Sequence, residues 1–363
     1  RVANRYKSTK NIAQTCAQKC HVLSLVHHTG HKRAITIPPL KHKMNFIKTL
    51  FAIEKTPRKG LMALEWVVLV YMVLTLLMVF FTYTKLANPE AMIWGRIRIG
   101  VITAALWLVY RLVPCRFTKL TRVVTQLYLL SWWYPDTYEL NRILPNLDHV
   151  FAQAEQSVFG FQPALVFCDA MPSPWFSELM DMGYASYFPM ILAVTLFYFF
   201  CRYAEFERAS FVLITAFFIY YVVFVALPVT GPQYYYPAVG MEKIAMGVFP
   251  NVGDYFNLHS ERLTSPGYAN GIFYQLVEHA HDAGERPTAA FPSSHVGIST
   301  VIMLLAWHSG NRRLLLCLLP FFVLMCFSTV YIMAHYTIDA FAGLITGALL
   351  YFGLMWVSGR YLR

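Results

Sequence analysis

Long apolar runs, separated by short stretches in which cations collect, dominate the chain from residue 61 onward. A run of about 20 apolar residues is what an α-helix needs to cross the ~30 Å hydrocarbon core of a bilayer. By that measure spans are expected at about 61–83, 97–113, 183–201, 209–227, 293–308, 314–334 and 337–357. A further stretch, 117–134, has only a short wholly apolar part and reads either as a crossing or as a re-entrant segment. The expectation is an all-α fold, a polytopic membrane helical bundle with about eight transmembrane helices (six to eight). Arg96, Arg98 and Arg111 fall near the ends of the second run, where long side chains can reach the interface. Between 135 and 181 the pattern turns mixed, and short amphipathic helices lying on the surface are expected there.

Composition agrees with this reading, since 57% of the 363 residues are hydrophobic and only 13% charged, unlike a soluble domain. The formal net charge of +11 belongs to one end. Residues 1–60 hold thirteen Lys or Arg against the single acid Glu54, which leaves seventeen basic and eighteen acidic residues in the remainder. That distribution argues against a nucleic-acid partner. Three regions follow: a basic cytoplasmic tail over 1–60, N-terminal transmembrane helices with an outer surface loop over 61–180, and a helical bundle over 181–363. The first methionine is Met44, and 1–43 reads as an upstream extension of a chain starting there. Cys16, Cys20 and His21 lack the second ligand pair of a zinc site, and the seven cysteines are scattered. Neither a metal site nor a disulfide framework is expected.

The polar residues that interrupt the apolar background gather between Arg286 and Asp339. Pro292 before Ser293 and Ser294 is a helix-opening pattern, because proline fixes φ and lacks the N–H that a first turn leaves unpaired. Free N–H groups at the positive end of that helix, with two hydroxyls beside them, suit phosphate oxygens. Arg286 can add a planar bidentate clamp. His295, one step inside, is suited to protonate a leaving oxygen. His335 and Asp339 are four apart on the next helix, so the carboxylate can hold one imidazole nitrogen and leave the other free to attack.

In that order, Arg286-Pro287, then Pro292-Ser293-Ser294-His295, then Ser328 with His335 and Asp339 resemble the three signature motifs of the type 2 phosphatidic acid phosphatase superfamily, over about the last 180 residues. The resemblance implies a phosphohistidine on His335 oriented by Asp339, His295 as the acid, and Arg286, Ser293 and Ser294 as the phosphate cradle. It implies no cofactor and membrane lipids as substrates. Two positions depart from the pattern: His279 stands where a lysine is usual, and Thr329 where an arginine is usual. The same losses, with HYTID and the earlier LPVTGPQYYYP run, are similar to the branch of inositol phosphorylceramide and sphingomyelin synthases. That implies an integral-membrane phosphotransferase moving a phosphodiester head group from a phospholipid to a lipid alcohol, with a lipid phosphate monoester phosphatase as the alternative. Lys243 or Arg262, from the outer loop, can restore the missing charge by folding back. Tyr234, Tyr235 and Tyr236 read as an interfacial aromatic belt or as walls of a head-group pocket.

Two other classes fit parts of the pattern. A membrane haem protein with His295 and His335 as axial ligands leaves Asp339, Arg286 and the serine pair unexplained. A transporter or scaffold would use the same buried polar groups for transport. Lys and Arg in the tail, 116–122, 202–208, 312–313 and 360–363 alternate with cation-poor long loops. With eight crossings this puts both termini in the cytoplasm and Arg286, His295, His335 and Asp339 on the outer, periplasmic or lumenal, face.

Overall fold

Proline at the first helical position starts many of the helices, because its missing N–H would be unpaired there in any case. In the computed structural model, which describes residues 47–361, this holds for α2 (Pro89–Leu112), α5 (Pro163–Ala170), α6 (Pro174–Ala185) and α9 (Pro232–Val239). The other α-helices from Ala63 onward are α1 (Ala63–Phe81), α3 (Arg116–Asn141), α4 (Asp148–Phe159), α7 (Tyr187–Cys201), α8 (Tyr203–Ala226), α10 (Met241–Ala245), α11 (Ile272–Gly284), α12 (Ser294–His308), α13 (Arg312–Tyr331) and α14 (Thr337–Tyr361). An isolated antiparallel bridge, Ile53 with Cys115, is the nearest approach to a strand among the described residues. The expectations placed on 1–43, with Cys16, Cys20 and His21, lie outside the described residues.

All eight stretches expected to span fall in helices. Five of them, α1, α2, α8, α13 and α14, are long and apolar enough to cross a membrane, and α6 with α7 makes a sixth if the pair, bent by 42°, is one span. The protein is a multi-pass membrane helical bundle. Helix α12 is only 15 residues long, which at 1.5 Å per residue is ~22 Å. The stretch at 117–134 is not re-entrant: it belongs to the continuous 26-residue helix α3, whose buried face includes Arg122, Gln126 and Asn141.

Helix α8 is apolar all round and packs against α1, α3, α7, α12 and α14, as a helix without a polar face must. It thereby joins the N-terminal trio α1–α3 to the motif-bearing helices. Within that second group α12 and α14 lie closest, because Gly343 leaves room. A β-carbon there would stand 2.6 Å from the Ser293 carbonyl oxygen.

Two expectations are corrected. Helix α2 starts at Pro89, so Arg96 lies within it instead of at an end, and its side chain is 2% exposed. It does not reach the interface; it donates to Asp136 Oδ2 at 2.8 Å and to Thr75 Oγ1 at 3.2 Å. Tyr234, Tyr235 and Tyr236 are not an interfacial belt, for all three are buried in or beside α9. Tyr235 donates to the Pro250 carbonyl at 2.7 Å and Tyr236 to Gln162 Oε1 at 2.9 Å, which ties the tyrosines to neighbouring loops.

Helices α4–α6, the short elements expected on the surface between 135 and 181, pack onto the bundle: α4 against α14, and α5 and α6 against α13. The apolar interior accordingly has two main bodies. One fills the bundle; the other gathers Ala152, Val229, Tyr236, Ala290, Val296 and Tyr336 where the loops and short helices meet it. The residues from Ala289 to Val296 and from Tyr331 to Tyr336 contribute to both, so the motifs lie along the seam between them.

Candidate active site

Helix α12 opens as its sequence dictates: Ser293 is the N-cap, and its hydroxyl accepts the Val296 N–H at 3.3 Å. The Ser293 N–H donates to the Asp339 carbonyl at 3.0 Å, which fixes this helix start against the start of α14. Ser294 and His295 are the first two residues of α12. The His295 ring lies between those of Tyr184 and Tyr187, with centroid distances of 4.6 and 4.5 Å.

The opposite wall is the turn from Ile332 to Tyr336, between α13 and α14. Met333 adopts a left-handed φ of 60°, and the His335 N–H donates to the Thr329 carbonyl at 3.0 Å. His335 is buried. Its Nδ1 lies 2.7 Å from the Ala290 carbonyl oxygen. A carbonyl only accepts, so Nδ1 carries the proton and Nε2 presents its lone pair. That lone pair faces His295 Nδ1 at 3.4 Å. Burial holds the His335 imidazole well below its usual range, down to about 4, against the smaller opposing effects of the Ala290 carbonyl and Glu285. The ring is therefore neutral near pH 7, the state a nucleophile requires.

Asp339 was expected to hold the second imidazole nitrogen directly. Its Oδ2 lies 3.7 Å from His335 Nδ1 and instead accepts the Tyr336 N–H at 2.9 Å, while Oδ1 has no hydrogen-bond partner among the described residues. The Ala290 carbonyl occupies the place of direct acceptor, and the carboxylate acts across a longer gap. Arg286 is exposed, and its guanidinium donates to the Glu285 carbonyl at 3.1 Å. No hydrogen bond joins it to Ser293, Ser294 or either histidine among the described residues. The structure thus brings His295, His335, Asp339 and Ser293 together, with Ser294 beside them, and leaves Arg286 at the rim.

The cations named as replacements do not fill the gap. Lys243 is exposed on the short α10. Arg262 is held by Glu278 at 2.9 Å and Asp282 at 2.8 Å, so its charge is already matched. His279 is exposed on α11, and Thr329 is fully buried with its hydroxyl on the Cys326 carbonyl at 3.3 Å.

Several residues that sequence reasoning passed over also belong to the site. His281, two positions beyond His279, is buried with its ring 5.5 Å from that of Tyr184, and stands 3.9 Å from both Glu278 and Glu285. Burial lowers its proton affinity. Gln233 Nε2 donates to Glu285 Oε1 at 3.3 Å. From α4, Glu155 accepts the Thr337 N–H at 3.1 Å, and burial pushes its carboxyl up to about 7. Asp148, at the start of the same helix, receives the Tyr336 hydroxyl at 3.0 Å. The helical spacing of Val277 and His281 marks His281 as inward-facing. Nothing local marks Asp148 or Glu155, whose bonds to Tyr336 and Thr337 reach across more than 180 positions.

The site does not suit a haem. The facing imidazole nitrogens are 3.4 Å apart and His295 is enclosed by two tyrosine rings, which leaves no slot for a macrocycle. What the arrangement can do is direct an imidazole lone pair at an electrophile, with a second imidazole beside it to exchange a proton.

A protein-family model described as the PAP2 superfamily matches residues 149–353. No curated protein and no solved structure matches the chain.

Proposed function

The chain belongs to the PAP2 superfamily, which supports a lipid phosphatase-type activity, and on that premise we propose that it transfers a phosphodiester head group from a phospholipid to a lipid alcohol. His335 Nε2 attacks phosphorus as the phosphorus–oxygen bond to the lipid breaks, and His295, entering the step as the imidazolium, gives its proton to the departing alkoxide, leaving a phosphohistidine and a neutral His295. The acceptor hydroxyl then gives its proton to His295 and attacks the same phosphorus, which restores neutral His335 and releases the new diester. Asp339, 3.7 Å from Nδ1, stabilises the positive charge that grows on the ring. Ser293, Ser294 and the first N–H groups of α12 receive the phosphoryl oxygens, and Arg286 closes on them from the rim.

The observation that carries this reading is the shortage of cations. A monoester presents nearly two negative charges and a diester one, yet Arg262 is matched by two carboxylates, Lys243 is exposed on α10, and Thr329 is neutral. Asp148, Glu155 and Asp339 line the back of the nucleophile and supply no cation. One exposed arginine suits a single charge better than a double one.

Purified protein in detergent, given a phospholipid with and without ceramide or diacylglycerol and, separately, phosphatidic acid, tests the assignment. New diester that appears only with the alcohol is expected. Rapid release of inorganic phosphate from phosphatidic acid, with no new lipid, would replace it with a phosphatase. The cation-poor loops support an outward-facing site. A cysteine in place of exposed Lys243 should then react with an impermeant thiol reagent from outside, and one in place of exposed Arg312 should not.

A further inference from the structure

Asp148 carries five hydrogen bonds on a fully buried carboxylate. Oδ2 accepts from Asn146 Nδ2 at 2.6 Å, the Thr230 N–H at 2.7 Å and the Thr230 hydroxyl at 2.9 Å. Oδ1 accepts from the Gly231 N–H at 2.8 Å and the Tyr336 hydroxyl at 3.0 Å. Burying a carboxylate is costly unless its lone pairs are satisfied, and a full set of donors is what offsets that cost. Asparagine has an acceptor on one side only, so no orientation of it receives all five donors.

These donors converge on His335 from two directions. Tyr336 is the next residue in the chain, and its hydroxyl is tied to Asp148 while its N–H is tied to Asp339. The turn at 229–233 is bonded to two segments that flank His335: the Val229 carbonyl accepts the Ala290 N–H at 3.0 Å, and the Gln233 N–H donates to the Met333 carbonyl at 2.8 Å. Ala290 in turn supplies the carbonyl that receives Nδ1–H. Gly231 has a φ of 89° and no space for a side chain, since a β-carbon would stand 2.5 Å from the Ala334 carbonyl oxygen. A second carboxylate of α4, Glu155, holds the Thr337 N–H on the same segment.

We propose that Asp148 is a positioning residue: through Tyr336 and the 229–231 turn it holds both the chain that carries His335 and the carbonyl that orients its ring. The inference rests on His335 being the nucleophile. It also gives the LPVTGP run a role, as the part that α4 grips behind the imidazole. Asp148 touches no reacting atom; it sets the direction of the Nε2 lone pair.

The test compares Tyr336→Phe, Asp148→Asn, their double variant and His335→Ala in the purified full chain, reading the rate of phosphoenzyme formation, KM and the thermal midpoint. Tyr336→Phe removes the direct hydrogen bond between Asp148 and the chain of His335 and leaves the other four donors in place. Misdirecting a reacting group by a fraction of an ångström lowers rate more than affinity, so kcat should fall ~10–100-fold and KM change less than about twofold. Tyr336→Phe should slow Asp148→Asn by less than it slows the wild type, because the two changes share the Tyr336 connection. A wild-type rate in Tyr336→Phe, with no adduct in His335→Ala, would overturn this inference and leave the proposed nucleophile standing. An adduct that survives His335→Ala would overturn both. If Asp148→Asn does not fold, Tyr336→Phe alone decides.

Discussion

The N-terminal trio and the motif seam both bury ionisable groups, but they do so in opposite ways. In the trio each charge meets its opposite. Glu65 and Arg122, both with side chains 1% exposed, form a fork-to-fork pair with Nε to Oε1 at 2.7 Å, and Arg96 meets Asp136 at 2.8 Å. At the seam like faces like: two histidines point nitrogen at nitrogen, and Asp148, Glu155 and Asp339 crowd around Tyr336 and Thr337 with no Lys or Arg bonded to any of them among the described residues. Paired charges hold helices together; imidazoles and carboxyls buried without a counter-charge are left available for chemistry. Intramembrane ionisable residues are therefore not functional by rule, and the presence or absence of a counter-charge tells the two uses apart.

Asp339→Asn should break the seam's chemistry without breaking its fold. The amide oxygen can still accept the Tyr336 N–H, yet it cannot stabilise an imidazolium, so turnover should fall on the order of 10³-fold with the thermal midpoint unchanged or raised. A variant with near wild-type turnover would mean that the Ala290 carbonyl alone suffices. In the trio the sign reverses. Glu65→Leu leaves Arg122 buried without a partner and should cost about 3–5 kcal/mol of stability, while Glu65→Leu with Arg122→Leu should recover most of it. Thermal unfolding in detergent reads this, and equal losses in the single and double variants would show that the pairing is not what matters.

The smallest effect concerns pH. With its buried pKa at about 4 against 6.5 for an exposed histidine, His335 stays neutral across the physiological range. Turnover should be insensitive to this group above that value and fall roughly tenfold per unit below it. The unfolded chain binds the proton first, so this histidine's share of stability is present above pH ~6.5 and shrinks as pH falls towards 4. An acid limb centred near 6.5 would mean that the nucleophile is solvated.

How much of this the sequence revealed follows from the range of the interactions. The apolar runs announced the helices because membrane insertion is decided locally, by length and hydropathy. His295, His335 and Asp339 stood out because each lies in a short motif with a helical spacing. Arg96 was misplaced by a helix start at Pro89, where Asn88 and Pro89 open the helix ahead of the apolar run. The three tyrosines were read as a belt because composition cannot tell an aromatic at the interface from one whose hydroxyl finds a carbonyl inside. Asp148 was invisible, since Thr230, Gly231 and Tyr336 reach it across 82 to 188 positions of chain. A single sequence carries no trace of such a meeting.

On the proposed route the lone pair on His335 Nε2 forms a covalent bond to phosphorus. Protein mixed with a head-group-labelled phospholipid and quenched within the first turnover should carry acid-labile, alkali-stable label, and digestion should place it on the peptide that contains His335. His335→Ala should carry none, while His295→Ala should still label, more slowly. Label retained in His335→Ala, or found on another residue in the wild type, would contradict the account.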